Sequence, residues 1–391
     1  MHQRIKKVLS VVRDAWLIVG LALGLLLLLE GGYRLQAAAR HRIGLRLLQE
    51  PAPPVPDETS RYPYADSAWF AGWAAGRDDA LRRAWRHHPY RGWTVVPFAI
   101  PGITVDSAGL RVVPGGRIGS GRDTVFFLGG SAAWGFTARD SSTIATHLAR
   151  GLRRRDVDDA EVVSLAQAGY NFMQGLATLQ EQLRFGRRPA VVVFFDGVNE
   201  IGPYIEWEPL WGTYGQQLVS QRIALGKRTP MQEALGLGRH FALVKRIRRA
   251  LDPPPGPRGG IPESVCDTVV QWYLAGTRMV SSLADEFGFA VIFVWQPTLG
   301  ASKKRLTDYE AYRMAWEEEV GLELNSLLAR CATAADSAMA LHSEIHYVQL
   351  NGLFDSDTTT VFLDGFGHVT ERANAIIGDT VAGLVAARLG N

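Results

Sequence analysis

From Asp123 onward, apolar β-rich runs recur with helical patterns between or after them. That alternation constrains the fold more than any other feature of the 391-residue chain. The runs are Thr124–Leu128, Glu161–Leu165, Ala190–Phe195, Phe289–Trp295 and His346–Leu350, and helical periodicity covers roughly 141–155, 174–186, 263–287, 305–334 and 369–389. Strands that are apolar along their whole length must be covered on both faces, as in a parallel sheet between helices. Five strands and five helices predict an α/β fold: a flavodoxin-like three-layer α/β/α sandwich with a five-stranded parallel sheet.

The alternation also sets the domain plan. Residues 123–391 form the sandwich domain, interrupted at about 203–262 by an insertion with Trp207, Trp211, Tyr214 and a basic run. Its place just after the third strand makes it a candidate lid. Residues 61–122 precede the sheet as an extension packing on the core, with a helix over 67–87 and a strand or hairpin in "GITVDSAGLRVV". Trp69, Trp73, Trp85 and Trp93 in that extension read as packing residues. Residues 36–60, with "PAPPVP" at Pro51–Pro56, form a stiff linker.

Residues 1–35 read as a cytoplasmic stub and transmembrane anchor. The run "AWLIVGLALGLLLLL" from Ala15 to Leu29 carries no charge and follows Arg4, Lys6, Lys7 and Arg13. Fifteen residues fall short of the roughly 20 that span a bilayer, but Arg13 and Glu30 can snorkel at its ends. A cleaved signal peptide and a buried core helix are the alternatives. The small residues Ala37–Ala39 lie rather far past the run for a cleavage site. An anchor places the body outside the cytoplasm, periplasmic or extracellular. Net charge is +3, yet residues 1–50 carry +5 and the rest −2. The main body therefore gives no reason to expect a nucleic-acid partner.

In open α/β sheets the ligand site lies beyond the strand C-termini. After the first strand comes "GGSAAWG" with Ser131, and after the second "AQAGYNFMQG" with Gly169 and Asn171. After the third comes "DGVNEIG" with Asp196, Asn199 and Glu200, and after the fifth a stretch with Asp364 and His368. A serine hydroxyl is a weak nucleophile until a base takes its proton. Histidine suits that role because its pKa lies near neutrality, and an acid behind it holds the tautomer. A tetrahedral intermediate needs N–H donors aimed at its oxyanion. The backbone of Ser131 and Gly169 and the amide of Asn199 are the candidates. Singly, each residue reads as a turn, loop or helix-cap residue; their joint placement at strand ends points to acyl transfer.

In these four blocks the chain resembles the SGNH (GDSL-type) hydrolases, and its lead-in "ITVDSAGLR" is similar to that of bacterial members with an N-terminal anchor. "GGSAAWG" resembles the nucleophile block, "AGYN" the second block, "DGVNE" the Gly-x-Asn block and "DGFGHVTERAN" the last block. The resemblance covers about residues 100–390. It implies Ser131 as nucleophile, Gly169 and Asn199 as oxyanion donors and His368 as base. It also implies a serine esterase with no metal and no cofactor, acting on a small acyl ester of a lipid or an acylated glycan. An O-acyltransferase acting on envelope polysaccharide and a catalytically silent glycan-binding protein are the alternatives.

Two departures stand out. The usual Gly-Asp-Ser is Gly129-Gly130-Ser131 here, and Asp364 stands four residues before His368 where the family has three. Either Gly365 and Gly367 bend the loop so that Asp364 reaches the ring, or a backbone carbonyl orients His368 and leaves a dyad. Asp355 and Asp357 are fallback acids. "PGGRIGSG" precedes a strand and lacks the phosphate-loop Gly-Lys-Ser/Thr, the α/β-hydrolase elbow fails at Ala133, and the nine histidines form no metalloprotease motif. Cys266 and Cys331 have no metal-ligand spacing. With one near a helix start and the other near a helix end, the topology weighs against a disulfide. Oligomeric state is not legible.

Overall fold

The computed structural model describes residues 62–116, 123–157, 159–201, 264–319 and 323–390, and residues 13–14, 16–21, 24–25 and 28. The expected linker at 36–60 and the expected insertion or lid at 203–262 lie outside the described residues. Two units divide the chain, residues 58–217 with 260–391 and residues 1–57 with 218–259. In the latter, the described residues between Arg13 and Leu28 are helical and leave Trp16, Leu17, Ile18 and Leu21 exposed. No helix among the described residues is long and apolar enough to cross a membrane. The transmembrane helix expected over Ala15–Leu29 is therefore not seen, and residues 15, 22–23, 26–27 and 29 of that run lie outside the described set.

The larger unit opens with α1 (Phe70–Ala84) and two short antiparallel ladders, β1 (Trp85–His88) with β2 (Gly92–Val95) and β3 (Phe98–Ile100) with β4 (Ile103–Val105). The sheet then forms from β5 (Asp123–Gly129), β6 (Ala160–Ser164), β7 (Val191–Asp196), β8 (Ala290–Trp295) and β9 (Tyr347–Gln349). Its order is β6-β5-β7-β8-β9 and every pairing is parallel. Chain order thus reverses between β5 and β7, the switch point where such sheets open a crevice.

Alternation along the strands explains both covers. Val125, Phe127, Val193, Phe195 and Val294 face α3 (Ile144–Arg153) and α8 (Glu371–Leu389) in one core cluster. Phe126, Leu128, Val192, Phe194 and Phe293 face α4 (Phe172–Arg184) and α5 (Val265–Phe287) in the other. Successive side chains point to opposite faces, so a strand buried on both must be apolar throughout. Each fully buried Val or Phe contributes about 1.5–3 kcal/mol. Phe70, Trp73, Val95 and Ile103 join the first cluster, so the lead-in is part of this core.

Two expectations need correction. The helix expected over 305–334 is two helices, α6 (Asp308–Glu319) and α7 (Leu324–Met339). Cys331 therefore lies about two turns into α7, not at a helix end. There it meets Cys266 in the first turn of α5, with Cα atoms 4.7 Å apart and the two sulfurs bonded. The sequence argument against a bridge failed because it treated 305–334 as one rod.

Candidate active site

The tip of β5 is built to bring backbone close to backbone. Gly129 has φ +146°, and a Cβ on it would overlap the carbonyl oxygen of Phe195 on β7. A Cβ on Gly130 would overlap Nδ2 of Asn199. The second glycine, where the resembled family has aspartate, thus leaves room for the Asn199 amide. Ser131 opens the short helix α2 (Ser131–Trp134), which Gly135 closes at φ +82°.

Arg111 clamps this turn from the lead-in. Its buried guanidinium donates to the carbonyls of Trp134 at 3.1 Å and Ala138 at 2.6 Å, and pairs with Asp140 at 2.9 Å. Its alternating apolar surroundings, "GLRVV", were a signal that a buried role awaited this arginine.

Ser131, His368 and Asp364 form one hydrogen-bonded chain. Ser131 Oγ lies 2.7 Å from His368 Nε2, and His368 Nδ1 lies 2.6 Å from Asp364 Oδ2. The four-residue spacing closes through a tight hairpin. Phe362 bridges Val369, and Leu363 N–H donates to the His368 carbonyl at 2.8 Å. Asp364 Oδ1 accepts the backbone N–H of His368 at 3.2 Å, so one carboxylate holds both the ring and its own main chain. Gly367, at φ +76°, supplies the left-handed turn residue this path requires. Phe136 stacks on the His368 ring with centroids 5.1 Å apart. The fallback acids are engaged elsewhere: Asp355 accepts from Lys303 N–H at 2.9 Å, and Asp357 pairs with Arg372 at 2.5 Å.

Burial pushes the Asp364 carboxyl up, but the charge and hydrogen bond of His368, with Arg313 beyond, outweigh it and hold the group below the usual aspartate value. Asp364 is accordingly ionised at neutral pH and accepts from the imidazole.

Asn199 follows β7 and donates Nδ2–H to the carbonyl of Tyr170 at 2.7 Å. One amide proton is so fixed, which leaves the other for a ligand beside Ser131. Gly169, at φ +80°, turns the chain after β6. Its loop is held from the lead-in. Trp93 Nε1–H donates to Ala168 O at 3.2 Å, Tyr170 hydroxyl donates to Trp93 O, and Gln174 Nε2–H donates to Arg91 O at 2.6 Å. Asn171 and Gln174 close the N-terminus of α4 with a capping box. Trp93 was read as packing only; its hydrogen bond was not foreseen.

Glu200 accepts the N–H of Phe172 at 2.8 Å. Burial raises its pKa from the ordinary 4.5 to about 7. Asp196 is buried beside it and pushed well above its ordinary value by desolvation and then by the charge of Glu200. Among the described residues no group of three or more His, Cys, Asp or Glu side chains is placed to hold a metal ion.

Such an arrangement can move a proton from a hydroxyl to an imidazole backed by a carboxylate, beside amide donors that face developing negative charge.

No family model matches the chain, and no curated protein does. Solved structures do. An acetyl xylan esterase matches at 14% identity over 67% of this chain and 98% of its own, with a TM-score of 0.36. A catalytic mutant of an acetylxylan esterase from Geobacillus stearothermophilus matches at 10% identity over 69% and 96%, with a TM-score of 0.38. A member of the lipolytic G-D-S-L family from Veillonella parvula matches at 9% identity over 67% and 96%, with a TM-score of 0.36.

Proposed function

We propose that this chain is a serine esterase of the SGNH (GDSL) type that cleaves small acyl esters. The observation that carries the reading is the continuous hydrogen-bonded chain from Ser131 through His368 to Asp364. Ser131 Oγ attacks the acyl carbonyl while His368 Nε2 takes its proton. The oxyanion lies against the N–H groups of Ser131 and Gly169 and the free Nδ2–H of Asn199. Collapse expels the alcohol, which leaves with the proton from His368, and the acyl group stays on Ser131. Water, deprotonated by His368, then releases the carboxylic acid and restores the serine.

An O-acetyl ester on an envelope glycan is the proposed substrate, on a catalytic domain held outside the cytoplasm by the N-terminal segment. Two features support that location. The disulfide between Cys266 and Cys331 belongs to an oxidising compartment. The run Ala15–Leu29 is uncharged between basic flanks.

The test is turnover of p-nitrophenyl acetate by the purified protein, with Ser131→Ala as control, and mapping of a fluorophosphonate label. Turnover that survives in Ser131→Ala, or a label found elsewhere, sinks the reading. Adding a glycan acceptor and analysing products separates hydrolysis from acyl transfer.

A further inference from the structure

The hairpin that carries Asp364 and His368 is held from outside by α6. Glu310 and Glu317 sit seven residues apart on that helix, hence on one face, and both are fully buried. Glu310 accepts the N–H groups of Val361 and Phe362 at 2.9 and 3.1 Å. Glu317 accepts the N–H of Gly365 at 2.8 Å, and Tyr309 donates its hydroxyl to Leu363 O at 2.8 Å. The helix therefore grips the main chain on both sides of Asp364.

Apolar side chains would leave the N–H groups of Val361, Phe362 and Gly365 unpaired in the interior, and the buried carboxylates are tolerated because those groups bond them. What a carboxylate adds is direction: it fixes where an N–H points. Gly365 bears this out. It is not among the glycines with positive φ, so its backbone does not demand glycine. A Cβ there would overlap Oε2 of Glu317. Position 365 is small because Glu317 occupies the space.

Glu317 is itself anchored. Asn325 Nδ2–H donates to it at 2.8 Å and Arg313 pairs with it at 3.2 Å. The geometry points to Glu317 as a positioning residue: by holding Gly365 N–H it fixes the turn with the extra residue, and so aims Asp364 at His368 across a four-residue spacing. The kinetic part of this assignment rests on the esterase reading; the geometric part does not.

The experiment compares Glu317→Ala, Glu317→Gln and Gly365→Ala in the full chain. Two quantities are read, kcat against KM, and the low-field ¹H resonance of the His368 Nδ1–H bonded to Asp364. The resonance is also recorded in the Ser131→Ala background. Glu317→Ala and Gly365→Ala should lower kcat about 10- to 100-fold with KM little changed, as expected for a misplaced catalytic pair. Both should weaken or abolish the resonance. Glu317→Gln should keep most of both, because a neutral amide oxygen still accepts Gly365 N–H. Asn325, whose Oδ1 has no partner among the described residues, can turn its amide over to accept from the new Nε2.

Should Glu317→Ala fail to fold, Gly365→Ala carries the comparison. An unchanged kcat and resonance in Gly365→Ala overturns the assignment. So does a Glu317→Gln as impaired as Glu317→Ala, because positioning asks for an acceptor and not a charge. If the wild-type chain shows no Ser131-dependent turnover, the esterase reading falls, and the resonance in the Ser131→Ala chain still decides the positioning.

Discussion

Tyr170 donates its hydroxyl to the backbone carbonyl of Trp93, and the two rings meet edge to face with centroids 5.6 Å apart. That contact joins β2 to the loop of Gly169, whose neighbouring carbonyl at Tyr170 receives the Asn199 amide. Tyr170→Phe should leave a buried carbonyl unsatisfied and cost about 1–3 kcal/mol of stability. It should also lower kcat, because two of the three proposed oxyanion donors, Gly169 and Asn199, hang on this loop. Urea titration and p-nitrophenyl acetate kinetics on the same sample check both effects.

Asp364 is the acid the hairpin brings to His368. Asp364→Asn should reduce kcat by about 10³–10⁴-fold, through the wrong imidazole tautomer, with the fold intact. Asp355→Asn and Asp357→Asn should change kcat by no more than about twofold, because neither carboxylate faces His368. Steady-state kinetics on the three variants separate a triad from a dyad.

Gly130 leaves room for Nδ2 of Asn199. Gly130→Ala should displace that amide and lower kcat by about 10²–10³-fold, the usual cost of losing one oxyanion donor. Gly130→Asp, which restores the residue usual in the resembled family, should be no better. Fluorophosphonate labelling should slow in step in both, since the phosphonyl oxygen uses the same donors.

Glu200 links stability to pH with an unusual sign. Its folded pKa is raised from 4.5 to about 7, so between those values the native state holds a proton that the unfolded chain releases. The contribution is fully present below about pH 4.5 and is lost as pH rises through 7. Glu200→Gln keeps an acceptor for Phe172 N–H and removes the charge. Its melting temperature relative to the wild type should therefore rise from pH 5 to pH 8. A constant difference across that range would show that Glu200 does not titrate there.

The Cys266–Cys331 bond closes a loop with a sequence separation of 65 residues. Cys331→Ala, or full reduction, should cost about 2–4 kcal/mol. Guanidinium titration with and without reductant measures this. Ile201, Val198 and Phe366 pack in the same cluster, so the turn of Asn199 and the tip of the hairpin should loosen first. Hydrogen exchange on those segments reads that order.

The sheet was legible because its signal is local. Strands apolar at every position and helices between them leave few other folds, and the observed strand ends fall within one or two residues of the expected ones. Ser131 and Asn199 stood out as special residues just past strand ends, and His368 stood out in the longer stretch that follows β9. Arg111 and Glu317 were not singled out, and Trp93 was read as packing alone. Each acts through contacts to segments far along the chain, and no periodicity reports such a partner. The break between α6 and α7 was missed because helical periodicity runs through it, and the disulfide was missed with it.

The lead-in before the sheet has a consequence for how such a unit can be inherited. The residues proposed for chemistry all sit on the sandwich, yet Arg111 and Trp93, which fix two of its loops, come from before β5. A recombination event that moved only the strand–helix repeat would carry the letters of the site without its alignment. The smallest piece that can be exchanged between proteins with function intact therefore begins upstream of Trp93, some thirty residues before the sheet does.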